Sequence, residues 1–142
     1  MSNGTYILTT KDFSILEALC DNWHGRDDRL LVHIRHKINS ATVVFRDDLP
    51  REVASINSRV RFRVNDGGES DSRVISTGQV NGPVGMFLPI TTLRGLALLG
   101  LRESQEITFA NMNGEAESIV LDAVEYQPET SRRERHLLGQ DA

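Results

Sequence analysis

The hydrophobic period of this chain changes once, near Ala41, and that change constrains the fold more than any other feature. Before this point, apolar residues recur every three or four positions, which is typical of amphipathic helices. Beyond it, residues 59–64 alternate strictly, with Val60, Phe62 and Val64 on one side and arginines on the other. The pattern therefore predicts helices followed by a sheet, which is the α+β class.

Two helices are predicted in the first part. Thr9 is placed to cap the first helix, with Asp12 three positions later in a variant of the capping box. A second helix is predicted over residues 27–39. Two such helices joined by a short polar turn form an antiparallel helical hairpin, and an arm of about 13 residues is roughly 20 Å long. We expect residues 1–42 to project as a short coiled coil.

Residues 43–128 are predicted to form an antiparallel sheet with one short helix against it. Residues 65–68 read Asn-Asp-Gly-Gly, a turn signal that joins the arginine-bearing strand to a return strand. The run around Pro89 is predicted to be an edge strand, because proline cannot donate a hydrogen bond to a neighbouring strand.

The short helix is predicted over residues 92–99. Thr91 or Thr92 would cap its start, and Gly100 would supply the left-handed turn at its end. The polar residues 129–142 are predicted to be a flexible charged tail, or at best a loose helix.

Composition narrows the class of protein. The chain has 142 residues and a net charge of -4, which argues against a general nucleic-acid binder and leaves nucleic acid at most an indirect partner. A single cysteine, the lack of a long apolar run and the lack of a signal-peptide pattern predict a cytoplasmic protein with no membrane partner.

No motif for catalysis or nucleotide binding is apparent, so we predict no catalytic residue, no cofactor, no resident metal and no small-molecule substrate. Cys20 lies on the apolar side of the first helix and is interpreted as a small buried hydrophobe. His33 and His36 could share a metal, but Arg35 and Lys37 beside them would repel a cation. A solvated helix face is the favoured interpretation.

Two charged groups have both a structural and a functional interpretation. Asp27 and Asp28 at the predicted hairpin tip can cap the second helix, or can hold a Mg²⁺ that belongs to a partner. Arg59, Arg61 and Arg63 can be a solvated strand face, or a positive stripe that meets an acidic protein surface or a phosphate backbone.

Three segments, in this order and spacing, resemble a known family. They are LPREVASINSRVRF at residues 49–62, ALLGL at residues 97–101 and AVEYQP at residues 123–128. Together they resemble the C-terminal domain of the Gre transcript-cleavage factors, and more closely that of the regulator of nucleoside diphosphate kinase, a shorter relative.

The resemblance implies an FKBP-like fold without isomerase activity that docks at the rim of the secondary channel of bacterial RNA polymerase. In Gre factors a long coil carries an acidic tip to the catalytic Mg²⁺. The shorter type binds polymerase and competes with Gre factors without stimulating cleavage. The short arms, and an Asp27-Asp28 pair that lacks the aspartate-then-glutamate spacing of the cleavage factors, favour the shorter type.

The chain departs from the family at the element that contacts polymerase. Thr91, Thr92 and Leu93, followed by Arg94, stand where relatives carry a polar residue and Ser-Pro, and Ser104 with Gln105 replaces Gly-Asp. We expect these departures to leave the fold intact and to affect only the contact with polymerase. Residues 91–94 are the predicted docking element.

Two alternatives stay open. The chain can regulate nucleoside diphosphate kinase or nucleotide metabolism through a partner other than polymerase. By fold analogy it can be a peptidyl-prolyl isomerase, which needs a concave pocket lined with aromatics. Aromatic residues are only 6% of the chain, and Phe62, Phe109 and Tyr126 follow strand patterns that indicate core positions.

Overall fold

The computed structural model describes residues 6–23, 28–65, 68–78, 82–83 and 85–139. The elements in these segments follow one another in the order β1 (Ile7–Thr9), α1 (Thr10–Asp21), α2 (Asp28–Ser40), β2 (Thr42–Val44), a 3₁₀ turn (Arg46–Asp48), β3 (Arg59–Val64), β4 (Asp71–Ser76), β5 (Phe87–Pro89), α3 (Leu93–Leu98), β6 (Glu106–Ala110), β7 (Ala116–Tyr126) and α4 (Pro128–Leu137).

The main sheet has five strands in the order β5-β4-β3-β7-β6. Strand β3 pairs antiparallel with β4 and β7, and β6 pairs antiparallel with β7. The edge strand β5, predicted from Pro89, runs parallel to β4, so the sheet is mixed rather than purely antiparallel. Two register shifts between β3 and β7 curl the sheet, because a bulge bends the strand that carries it.

The predicted caps of α1 and α3 are confirmed. Thr9 Oγ1 accepts a hydrogen bond of 3.0 Å from the Asp12 amide, and Thr92 Oγ1 accepts one of 3.2 Å from the Gly95 amide. At the far end of α3, Gly100 has a φ of +88°, which is the left-handed conformation that glycine adopts without strain.

The two N-terminal helices share one core with the sheet. Leu16 of α1 and Ile34 of α2 are fully buried in the same cluster as Val60 of β3 and Leu121 of β7. Cys20 is half-buried against this cluster. Strand β1 precedes α1 and β2 follows α2, and the two strands pair in parallel. The sequence pattern does not predict this pairing. The helices are therefore packed into the body of the protein.

One face of α2 lies against the sheet domain along the length of the helix. Arg29 Nη1 donates a 2.8 Å hydrogen bond to the Met112 carbonyl, and the His33 ring meets Phe109 edge-on at 6.5 Å between centroids. Lys37, one further turn along, is 3% exposed. The expectation of a projecting prong is therefore wrong, and of the two histidines assigned to a solvated face only His36 is exposed, whereas His33 is half-buried. The antiparallel arrangement of the helices stays a prediction.

The segment after β7 differs from the predicted flexible tail. Residues Pro128–Leu137 form a ten-residue helix, α4. Gln127 Nε2, just before it, donates hydrogen bonds of 2.8 and 2.7 Å to the carbonyls of Pro50 and Val53. These bonds fix the start of α4 to a loop 74 to 77 residues earlier in the chain, a long-range contact that the polar composition of the segment does not reveal.

Candidate functional site

The predicted docking element, residues 91–94, forms the start of α3. Thr92 Oγ1 donates a 2.6 Å hydrogen bond to the Pro89 carbonyl in addition to capping the helix, so the hydroxyl has a structural role. Gly95 is required below it, because a Cβ at this position would collide with the Pro89 carbonyl. Thr91 is exposed and Leu93 is half-buried against the core.

Arg94 ties α3 to β7. Its Nε and Nη2 donate hydrogen bonds of 2.8 and 3.2 Å to the two carboxylate oxygens of Glu117, which is 7% exposed. The bidentate pair raises the pKa of Arg94 and lowers the pKa of Glu117. Of the four residues in the docking element, Thr91 alone combines an exposed side chain with the absence of a side-chain hydrogen bond inside the described part of the chain.

The arginine face of β3 is paired with acidic residues of β7. Arg63 makes bidentate bonds of 2.8 and 2.9 Å to Asp122, and this pairing lowers the pKa of the Asp122 carboxyl. Arg59 Nε and Arg61 Nη1 lie 3.4 and 3.6 Å from the Glu125 carboxylate. The stripe is largely neutralised within the protein, which agrees better with a solvated, ion-paired strand face than with a binding stripe.

The predicted hairpin tip is described only in part. Asp27 lies outside the described residues, whereas Asp28 is exposed in the first turn of α2, where a negative charge suits the helix dipole. Within the described ranges, no group of three or more His, Cys, Asp or Glu residues is arranged to hold a metal ion.

A buried lysine, which sequence reasoning placed on the surface, joins α2 to the end of α3. Lys37 Nζ donates to the carbonyls of Leu96, Ala97 and Leu99, and it stands 4.1 Å from the centre of the Tyr6 ring. Burial lowers the pKa of Lys37, while the carbonyls and the aromatic face stabilise its charged form. The carbonyl groups at the C-terminal end of α3 thus accept hydrogen bonds from a side chain of α2.

A second buried charge cluster joins α1, a loop and α4. Asp12, 2% exposed, accepts a 3.0 Å hydrogen bond from the Ile56 amide. Glu129, 8% exposed, accepts one of 2.6 Å from the Ser55 hydroxyl, which also bonds Ser58. Burial first, and then the charge of Glu129, raise the pKa of Asp12 to about 6. The capping pattern indicates only the local role of Asp12, and nothing in the sequence indicates this long-range one.

An isomerase requires a pocket lined with aromatic residues, and the three aromatic residues considered for it, Phe62, Phe109 and Tyr126, do not line a common cavity. Phe62 is buried, Phe109 packs against His33, and Tyr126 is half exposed at the end of β7. They border three separate cavities. The cavity at Phe109 has a volume of about 30 Å³, which is too small for a peptide side chain.

No helix among the described residues combines the length and the apolar character that crossing a bilayer requires.

Comparisons with known proteins agree with this fold. No family model matches the chain. The regulator of nucleoside diphosphate kinase of Escherichia coli K12 is 26% identical over 135 residues, which cover 92% of this chain and 96% of that protein. The protein of the same name from Shigella flexneri is equally similar.

Among solved structures, the prokaryotic transcription elongation factor GreA/GreB from Nitrosomonas europaea aligns with a TM-score of 0.64 at 26% identity, over 86% of this chain and 98% of that one. GreA factor homolog 1 of Thermus thermophilus covers 86% of this chain and 99% of its own at 15% identity, and its TM-score of 0.42 adds nothing to the argument. The resemblance seen in the sequence is therefore confirmed: the chain is similar over most of its length to the regulator of nucleoside diphosphate kinase, and its fold is similar to that of GreA/GreB.

Proposed function

We propose that this protein is a transcription regulator that binds bacterial RNA polymerase at the rim of the secondary channel and competes there with Gre factors without stimulating transcript cleavage. The observation that carries the proposal is the similarity to the regulator of nucleoside diphosphate kinase over 92% of the chain, combined with the fold of a transcription elongation factor. No catalytic residue is assigned to the protein.

The geometry of the helices supports docking without cleavage. Helices α1 and α2 have 12 and 13 residues, so each is roughly 18 to 20 Å long. Arg29, His33 and Lys37 hold α2 against the body along its length. An arm of this length that is packed against its own domain has little reach into a channel.

The start of α3 is the docking element in this proposal. Two contacts hold it in place: Thr92 bonds the Pro89 carbonyl, and Arg94 pairs with Glu117. A surface that is already ordered loses less conformational entropy when it binds. Thr91 and the exposed edge of Leu93 would then contact polymerase directly, with Arg94 as a positioning residue.

Direct binding to purified core RNA polymerase tests the proposal. We expect saturable binding by biolayer interferometry, displacement by a Gre factor, and no increase in RNA cleavage when the protein is added to backtracked complexes. Thr91→Arg should weaken binding by about tenfold or more, because it places a long charged side chain in the interface. Thr108→Arg, the same change at an exposed position of β6, is the matched control.

Absence of binding at micromolar concentration would refute the proposal, as would stimulated cleavage. Equal loss of binding in both arginine variants would refute the assigned docking element alone.

A second function is favoured by the name of the curated relatives. They are regulators of nucleoside diphosphate kinase, so the partner can be that kinase or another protein of nucleotide metabolism instead of polymerase. Purified kinase provides the test: a change in its phosphotransfer rate on addition of this protein, without polymerase present, would favour the second function. An unchanged rate would leave the polymerase proposal as the better one.

A further inference from the structure

A cavity of about 150 Å³ lies between α1, the 3₁₀ turn and α4. Its wall contains four cationic side chains from three different elements: Lys11 of α1, Arg46 of the 3₁₀ turn, and Arg132 and Arg135 of α4. These elements meet only in the tertiary structure, and the docking element at the start of α3 is not part of the wall.

Three of these cations lack a direct ion-pair partner, although the charge of Lys11 acts on the buried Asp12 carboxyl. Lys11, Arg46 and Arg132 are exposed, and none of them forms an ion pair with a carboxylate in the described part of the chain. This distinguishes them from Arg63 and Arg94, each of which holds an aspartate or glutamate in a bidentate pair. Arg135 donates a 2.9 Å hydrogen bond to the Ser131 hydroxyl and keeps its charge.

The carboxylates of the cavity do not cancel this charge at the rim. Asp12 and Glu129 form the buried floor, and they accept hydrogen bonds from the Ile56 amide and the Ser55 hydroxyl. Only Asp47 is an exposed acidic residue of the wall. The mouth therefore presents more positive than negative charge, although the whole protein carries a net charge of -4.

The cavity continues along α4. A second cavity of about 300 Å³ shares Asp47 and Arg132 with the first, and its wall adds Arg133 and His136. The two cavities together offer more space than a single phosphate group fills, and the cations are spread along both.

We propose that these adjoining cavities bind an oligophosphate anion with at least two linked phosphate groups. Guanidinium groups suit this ligand, because their planar donors match two phosphate oxygens at once and keep their charge at every physiological pH. Lys11, Arg46 and Arg132 would bind it directly. This inference does not depend on polymerase binding.

Pyrophosphate is the probe for this site. Isothermal titration of the full chain should show saturable binding, and inorganic phosphate should bind about tenfold more weakly because it engages fewer cations. The double variant Arg46→Gln/Arg132→Gln should lose affinity for pyrophosphate by tenfold or more, since each lost charge-assisted bond alone is worth about that factor. Both side chains are exposed and form no ion pair with the described residues, so the variant should fold, which circular dichroism would verify.

Arg35→Gln is the matched control, because it removes one exposed charge of α2 away from the cavity. Its affinity should stay within about twofold of the parent. No saturable pyrophosphate binding, or an equal loss in Arg35→Gln, would overturn the proposal. Single-stranded RNA that loses affinity in Arg46→Gln/Arg132→Gln and that pyrophosphate fails to displace would overturn it as well, since the cavity would then serve a nucleic-acid backbone.

Discussion

The buried carboxyl of Asp12 predicts how the stability of the protein depends on pH. Its pKa is about 6 in the folded protein, against 3.8 in the absence of structure, because burial disfavours the charged form and the charge of Glu129 adds repulsion. The bond from the Ile56 amide and the charge of Lys11 act in the opposite direction without cancelling the shift.

The sign follows from proton binding. Between the two pKa values the folded protein holds a proton that the unfolded chain has released, so the free energy of unfolding falls as pH rises through this range. A shift of about two pKa units corresponds to about 3 kcal/mol, which is an upper limit for this carboxyl. The contribution is fully present below the unfolded pKa and is lost above the folded one.

Asp12→Asn removes the charge and retains an oxygen that can accept the Ile56 amide. We expect the variant to be more stable than the parent by about 1 to 3 kcal/mol near pH 7.5, and the advantage to vanish near pH 4. The cause is the removal of a charge that is buried and repelled by Glu129. The exposed Asp47 of the same cavity adds to this repulsion, whereas the cations Lys11, Arg46, Arg132 and Arg135 oppose it and reduce the gain.

Urea unfolding followed by circular dichroism at a series of pH values measures this difference. The carboxyls of Glu117 and Asp122 have lowered pKa values and lose stabilising contributions as pH falls, so only the difference between variant and parent isolates Asp12. Asp48→Asn, an exposed control, should stay within about 0.5 kcal/mol of the parent throughout. A difference that is constant with pH, or a less stable Asp12→Asn near pH 7.5, would refute the reasoning.

Three further changes test other contacts. Gly100→Ala should cost about 1 to 3 kcal/mol of unfolding free energy, because φ is +88° and the added Cβ would lie 3.1 Å from Tyr6 Cβ; thermal and urea unfolding would show it. Arg94→Gln should destabilise the protein at neutral pH, because it removes the ion-pair partner of the buried Glu117. The loss should shrink as pH falls through the titration of the Glu117 carboxyl, as urea midpoints would show. Gln127→Ala should speed amide hydrogen exchange in α4 selectively, because two bonds to backbone carbonyls are removed; unchanged exchange there would contradict the anchoring role.

Local signals predicted most of the secondary structure. The caps at Thr9 and Thr92 and the alternation of β3 depend on residues within a few positions of one another, so they are visible in the sequence. The edge position of β5 followed from Pro89, but its parallel pairing with β4 did not, because strand direction depends on how the connecting segment crosses the sheet.

The candidate site was predicted less well than the fold. Residues 91–94 were identified through the family resemblance, but the structural roles of Thr92 and Arg94 depend on Pro89 and Glu117, which the pattern does not connect to them. The arginines of β3 have the spacing of a positive stripe, yet the acidic residues that neutralise them belong to β7, about 60 positions further along the chain.

The sequence by itself determined that helices precede the sheet, where α1 and α3 begin, and the family resemblance, because periodicity, capping residues and motifs act over short distances. The tertiary structure decided that α2 lies against the sheet domain, that α4 is anchored, and that Asp12 and Lys37 are buried. The identity of a polar residue does not reveal whether water or distant backbone groups form its hydrogen bonds. Only the tertiary structure shows which of the two does so.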